Sequence, residues 1–137
     1  MRILVIDAQG GGIGKQLISA IKQELPEARI TAVGTNSSAT AAMLKAGVEE
    51  AATGENSVVV CARSADVIVG PVGIVIADAL FGEITPKMAL AVAQSSAVRV
   101  LIPFNRCNNF IAGVSDLNTK TLINDAIQKI KSLKACN

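Results

Sequence analysis

The chain has 137 residues, enough for one domain with a core of its own. Half of the residues are hydrophobic but only three are aromatic, all Phe, so the core must come from Val, Ile, Leu and Ala, the usual filling of a sheet between helices. Thirteen basic residues against eleven acidic ones imply no strong draw toward nucleic acid or a membrane surface, and the lack of Trp and Tyr argues against base stacking on an aromatic platform.

The apolar run at the N-terminus is too short for a signal peptide and ends at Asp7. The longest apolar stretch, Val67 to Ala77, falls well short of the roughly 20 residues a membrane helix needs. Cys61, Cys107 and Cys136 are widely spaced and read as reduced thiols, which points to a cytoplasmic protein. With no histidine and no metal-ligand spacing, metal binding is not expected. The missing histidine also excludes Ser-His-Asp and Cys-His catalysis, and the missing tyrosine excludes the Tyr–Lys pair of short-chain dehydrogenases.

"RILVI" (2–6) reads as a buried strand. Ile13, Leu17, Ile18, Ile21 and Leu25 then fall at helical spacing, with Pro26 marking the end. "RITAVG" (29–34) is a second strand, and the next helix opens at Asn36 or Ser37 and closes on Gly47. A short third strand is expected near 50–53. The valine-rich segment 54–65 suits a strand by composition, but its place between two strands makes it a helix. "DVIVG" (66–70) is the fourth strand, followed by a short helical stretch at 73–81. Thr85 as N-cap and Pro86 in the first turn open another helix. "VRVLI" (98–102) and "FIAGV" (110–114) are strands five and six, and Leu122, Ile123, Ala126, Ile127, Ile130 and Leu133 make a closing amphipathic helix.

Alternating strands and helices predict a Rossmann-like α/β fold, three layers with a mainly parallel sheet, as a single domain over 1–137. Only seven residues separate the last two strands, too few for a parallel crossover, so the sixth should form an antiparallel C-terminal edge. Ligands of such sheets bind at the carboxyl ends of the strands. Four polar loops share that edge: "DAQGGGIGK", "GTNSS", "GPVG" and "FNRCNN".

The glycine loop matches no complete phosphate motif. G-x-G-x-x-G, ending on Gly11 and Gly14, fails at Gln9, and G-x-x-x-x-G-K-[ST] fails at Gln9 and Gln16. T-G-x-x-x-G-x-G matches only in Gly12-Ile13-Gly14, with Asp7-Ala8 in place of its opening pair. What survives is a glycine-rich turn presenting backbone amides at a helix start. Gly10, Gly11, Gly12, Ile13, Gly14 and Lys15 are therefore an expected anion cradle, unless the glycines serve only helix–strand packing.

The second strand ends in Gly34-Thr35-Asn36 and lacks the acidic residue that binds an NAD ribose. Thr35 and Asn36 suit a 2′-phosphate or a phosphosugar, or Asn36 simply caps its helix. NADP or another nucleotide is thus a candidate cofactor. Asn105 and Arg106 extend the expected site, Arg106 as a bidentate partner for phosphate or carboxylate. Cys107 has no histidine base and reads as structural, so Cys107→Ser should spare any activity. Asp7, Asp66, Asp78, Glu55 and Glu83 are the remaining acid–base candidates, with Asp7 best placed beside the glycine loop.

The stretches "QGGGIGK", "GTN", "MLKAG", "ATGEN", "GP" at 70–71, "TPKM" and "NRCN" resemble a family of short bacterial proteins known as domain of unknown function 3842. The likeness runs from Gln9 to Asn108; Ala8 departs from the glycine expected after the aspartate. It implies a compact cytosolic single-domain protein and no assigned activity. Two function classes remain: a domain that binds a nucleotide or phosphorylated small molecule, or a non-catalytic module that acts through self-association. A mean hydropathy of +0.46 and the apolar stretch after strand four favour a homodimer in either case.

Overall fold

The computed structural model describes residues 1–104, 108–115 and 118–136. Strand β1 (Arg2–Asp7) is buried from Ile3 onward, and its side chains feed both faces of the sheet. Ile3 and Val5 join one hydrophobic cluster, while Leu4 and Ile6 join the other. A strand covered on both faces needs no polar alternation, which is why "RILVI" reads as a continuous apolar run.

Around it stand α1 (Gly12–Glu24), β2 (Arg29–Gly34), α2 (Ser37–Lys45), β3 (Glu50–Thr53), α3 (Glu55–Ala62), β4 (Val67–Pro71), α4 (Pro86–Gln94), β5 (Val98–Ile102) and α5 (Thr119–Ala135). The sheet order is β3-β2-β1-β4-β5, and every pairing is parallel. This matches the first five strands of the doubly wound order 3-2-1-4-5-6. Leu17 and Ile18 of α1, Met43 of α2 and Ile127 of α5 pack on one face. Val58 of α3 and Met88 and Val92 of α4 pack on the other. The chain leaves β1 in one direction through β2 and β3 and in the other through β4 and β5. Right-handed crossovers therefore put the two helix sets on opposite faces.

The local signals hold at the helix ends. The Asn36 side chain accepts from Ala39 N, and the Thr85 hydroxyl accepts from Met88 N ahead of Pro86. Gly47 takes a φ of 87° just past α2, a turn that a residue with a Cβ resists. The valine-rich segment is helix α3, with Val58 turned into the core.

Two expectations fail. "FIAGV" (110–114) is not a strand, and the sheet has no antiparallel edge among the described residues. Gly113 is left-handed at φ 83°, Val114 N bonds back to Ile111 O, and Phe110 is 84% exposed. An apolar run that turns on itself cannot present a row of amides to β5. The helix expected at 73–81 is a single 3-10 turn at Val72–Val75 followed by irregular turns. Asp78, Leu80, Phe81 and Gly82 all adopt positive φ, which a right-handed helix excludes. The loop is ordered from within by Asp78 N to Ile84 O and by the buried side chains of Ala79, Leu80 and Ile84.

These assignments separate two apolar residues near the C-terminus. Phe110→Ser should change the free energy of unfolding by no more than about 0.5 kcal/mol. Ile127→Ala, on the buried face of α5, should lose about 2–5 kcal/mol. Chemical denaturation measures both, and the reverse ranking would show that 110–114 packs as part of the sheet.

Candidate functional site

The turn from β1 into α1 is organised by Asp7, a carboxylate only 5% exposed. Its Oδ1 accepts from Ala8 N at 2.8 Å and its Oδ2 from Gly14 N at 2.6 Å. Gly14 is the third residue of α1, so the chain's own carboxylate already answers part of the helix's exposed amides. Burial raises the Asp7 carboxyl above its ordinary range. The Gly14 and Ala8 amides pull it back, and the nearby charge of Glu83 pushes it up again.

The four glycines divide into two pairs. A Cβ on Gly11 would stand 2.6 Å from Ala39 O, and Gly11 is left-handed at φ 71°. One on Gly14 would stand 2.6 Å from Met43 Sδ and 2.9 Å from Asp7 Cβ. Those two are demanded by the close approach of α2. Gly10 and Gly12 would meet nothing within 4 Å, so packing does not explain them. Both are exposed, and their amides find no acceptor among the described residues.

Beside the glycine turn, a second carboxylate has come from far along the chain. Glu83, in the loop between β4 and α4, accepts at Oε1 from Gln9 N (2.9 Å), Thr35 Oγ1 (2.8 Å) and Asn36 Nδ2 (2.6 Å). Asn36 Nδ2 also donates to Gln9 O, and Gln9 itself is left-handed at φ 52°. Burial alone would raise the Glu83 carboxyl, but its three donors outweigh that and hold it below the usual value. Thr35 and Asn36 therefore have an internal partner, and Asn36 caps α2 as well.

Between this turn and the ends of β4 and β5 lies a cleft of about 220 Å³. The β1–α1 turn lines it with Asp7, Ala8, Gln9, Gly10, Gly11, Gly12, Ile13 and Gln16, and Pro71, Leu80, Phe104 and Thr119 complete the lining. It opens where the strand order reverses, between β1 and β4, the crevice in which doubly wound sheets bind ligands. Of the residues expected from sequence, Gly10, Gly11, Gly12 and Ile13 line it. Gly14 is held by Asp7 instead. Lys15 lines an adjoining groove with Gly12, Gln16, Ser19, Lys120 and Ile123, so two lysines flank the paired starts of α1 and α5. Asn105, Arg106 and Cys107 lie outside the described residues.

The other acid–base candidates separate. Asp66 accepts from Arg2 N at 2.6 Å at the opposite edge of the sheet, Glu55 stands in the first turn of α3, and Asp78 is exposed. Among the described residues no three potential metal ligands come together, and no helix is long and apolar enough to cross a membrane. Sequence reasoning placed Pro71 and Phe104 in loops at this edge without giving them a role, counted Glu83 only as an acid–base candidate, and missed Leu80 and Thr119. One available signal was that the chain's three aromatics all fall in the segments that follow the fourth and fifth strands.

The raised Asp7 carboxyl has a consequence with a definite sign. Folding makes Asp7 hold its proton more tightly than it does in the unfolded chain. Its contribution to stability is therefore full below the unfolded value of about 3.9 and is lost as pH rises through the folded value. Asp7→Asn removes that titration. In thermal unfolding across the acidic range, wild type should lose stability relative to Asp7→Asn as pH rises. An advantage of wild type that grows with pH would contradict the assignment.

No curated protein and no solved structure matches the chain. The sequence model of one family, described as a domain of unknown function (DUF3842), matches residues 2–135. That match spans nearly the whole length, and the chain belongs to the DUF3842 family.

Proposed function

We propose that this Rossmann-like domain binds a small phosphorylated or similarly anionic molecule, of mononucleotide size or less, in the cleft above β1. The observation that carries the reading is the split among the glycines. Gly11 and Gly14 are required by packing, whereas Gly10 and Gly12 keep two amides bare where nothing in the fold needs a glycine. Bare amides at a helix start are effective anion donors. Lys15 and Lys120 add positive charge alongside, and neither α1 nor α5 has an acidic residue in its first turn.

One feature weighs against NADP and a second against any dinucleotide. Glu83 stands at the end of β2, where such cofactors seat their ribose, and its charge would repel a 2′-phosphate. The cleft is also smaller than the roughly 300–1,000 Å³ of most small-molecule sites. The reading is one of binding rather than a reaction, since Asp7 has both oxygens engaged by amides. A cytoplasmic setting goes with it, on the strength of the free thiols Cys61 and Cys136.

Calorimetric titration with inorganic phosphate, pyrophosphate, AMP and NADP tests it. One of the three smaller anions should bind below millimolar concentration and more tightly than NADP. Gly12→Val should weaken that binding at least tenfold with little change in melting temperature, because its side chain enters open space. No binding below millimolar, or an unchanged affinity in Gly12→Val, would refute the reading.

A second reading, self-association as a homodimer, is supported by a different observation. Val60 on α3 and Leu90 on α4 are exposed on the same face of the sheet. Large apolar side chains gathered on one helical layer suit an interface between two copies. Sedimentation should give a dimer at micromolar concentration that Leu90→Lys dissociates. A wild-type protein that sediments only as monomer would dismiss it.

A further inference from the structure

We infer that the ligand of this cleft carries one flat apolar ring beside its anionic group, as an aryl phosphate does. This rests on the anion-binding reading above and goes beyond it by naming what the far wall is for. The chain has only three aromatic side chains, and not one is buried: Phe81 is 98% exposed, Phe104 45% and Phe110 84%. An aromatic residue is the richest source of buried area in a core, yet this core is filled by aliphatic residues alone. All three Phe residues lie in the loops that follow β4 and β5, at the edge where the cleft opens.

Phe104 is the one that lines the cleft, together with Pro71 and Leu80 and with Gly10 and Gly12, whose amides are bare. Leu80 is brought there by a loop whose backbone is left-handed at Asp78, Leu80 and Phe81, conformations that L-residues seldom adopt. Glu83 fastens the same loop to Gln9, so the apolar wall and the glycine turn are tied into one unit. The resulting site has a polar side for a charge and an apolar side for a ring. Its volume of about 220 Å³ and the carboxylate of Glu83 toward β2 leave no room for a second nucleoside.

The test compares inorganic phosphate with phenyl phosphate by calorimetry, on wild type and on Phe104→Ala. Phe104 is half-exposed, so its truncation should leave the melting temperature nearly unchanged. Phenyl phosphate should bind wild type about tenfold more tightly than inorganic phosphate. Phe104→Ala should abolish that advantage while keeping the affinity for inorganic phosphate. Equal affinities of wild type for the two probes would overturn the inference and leave anion binding intact. Failure of both probes to bind below millimolar would overturn both. A Phe104→Ala effect confined to sedimentation would assign the ring to contact with a second copy and overturn the inference as well.

Discussion

The bond between the Asp7 carboxylate and the amides of Gly14 and Ala8 fixes where α1 starts relative to the sheet. A charge-assisted hydrogen bond to a buried acceptor contributes about 1.5–3 kcal/mol, and losing one partner would leave a buried charge unanswered. The consequences spread from that point. With α1 held down on β1, Gly14 lies against Met43, Gly11 lies against the backbone of Ala39, and α2 can approach only because both lack a Cβ. The remaining glycines, Gly10 and Gly12, lie exposed at the rim of the cleft, their amides without an acceptor among the described residues. Asp7 thus satisfies the inner amides of the helix start and leaves the outer ones for something else.

A second carboxylate works on the opposite side of the turn. Glu83 reaches Thr35 across 48 positions of sequence and Gln9 across 74. It supplies at the end of β2 the acidic group that β2 itself lacks, and there it meets protein donors rather than a ribose. The loop that delivers it holds several residues in left-handed conformations, each worth about 1–3 kcal/mol of strain for a residue other than glycine. Buried Ala79, Leu80 and Ile84 offset part of that strain. One short loop therefore builds the apolar wall of the cleft and closes its route toward β2.

Much of the fold was legible because the signals were local. "RILVI", "RITAVG" and "VRVLI" are apolar runs of strand length, Thr85-Pro86 is a helix start, and Gly47 is a helix stop. The position of 54–65 between two strands correctly outweighed its three valines. "FIAGV" misled because apolar content alone cannot distinguish a strand from a loop that turns at Gly113 with Phe110 outside. The stretch after β4 misled because the left-handed residues that break its helix include Leu80 and Phe81, which carry no turn signature. In the site, the glycine loop and Asp7 were legible as a strand–turn–helix junction. The different duties of its four glycines were not, because they depend on how near α2 comes. Glu83 was legible only as an acid–base candidate, because its partners are set by tertiary approach and not by spacing.

The central claim is that Gly10 and Gly12 hold open amides for an anion while Gly14 is already occupied. A titration of isotopically labelled protein with inorganic phosphate, followed amide by amide by NMR, tests it directly. The account predicts saturable shifts concentrated at Gly10 and Gly12, with Gly14 scarcely moved because its amide stays hydrogen-bonded to Asp7. Shifts spread over the lysine-bearing surface with none at Gly10 and Gly12 would contradict it.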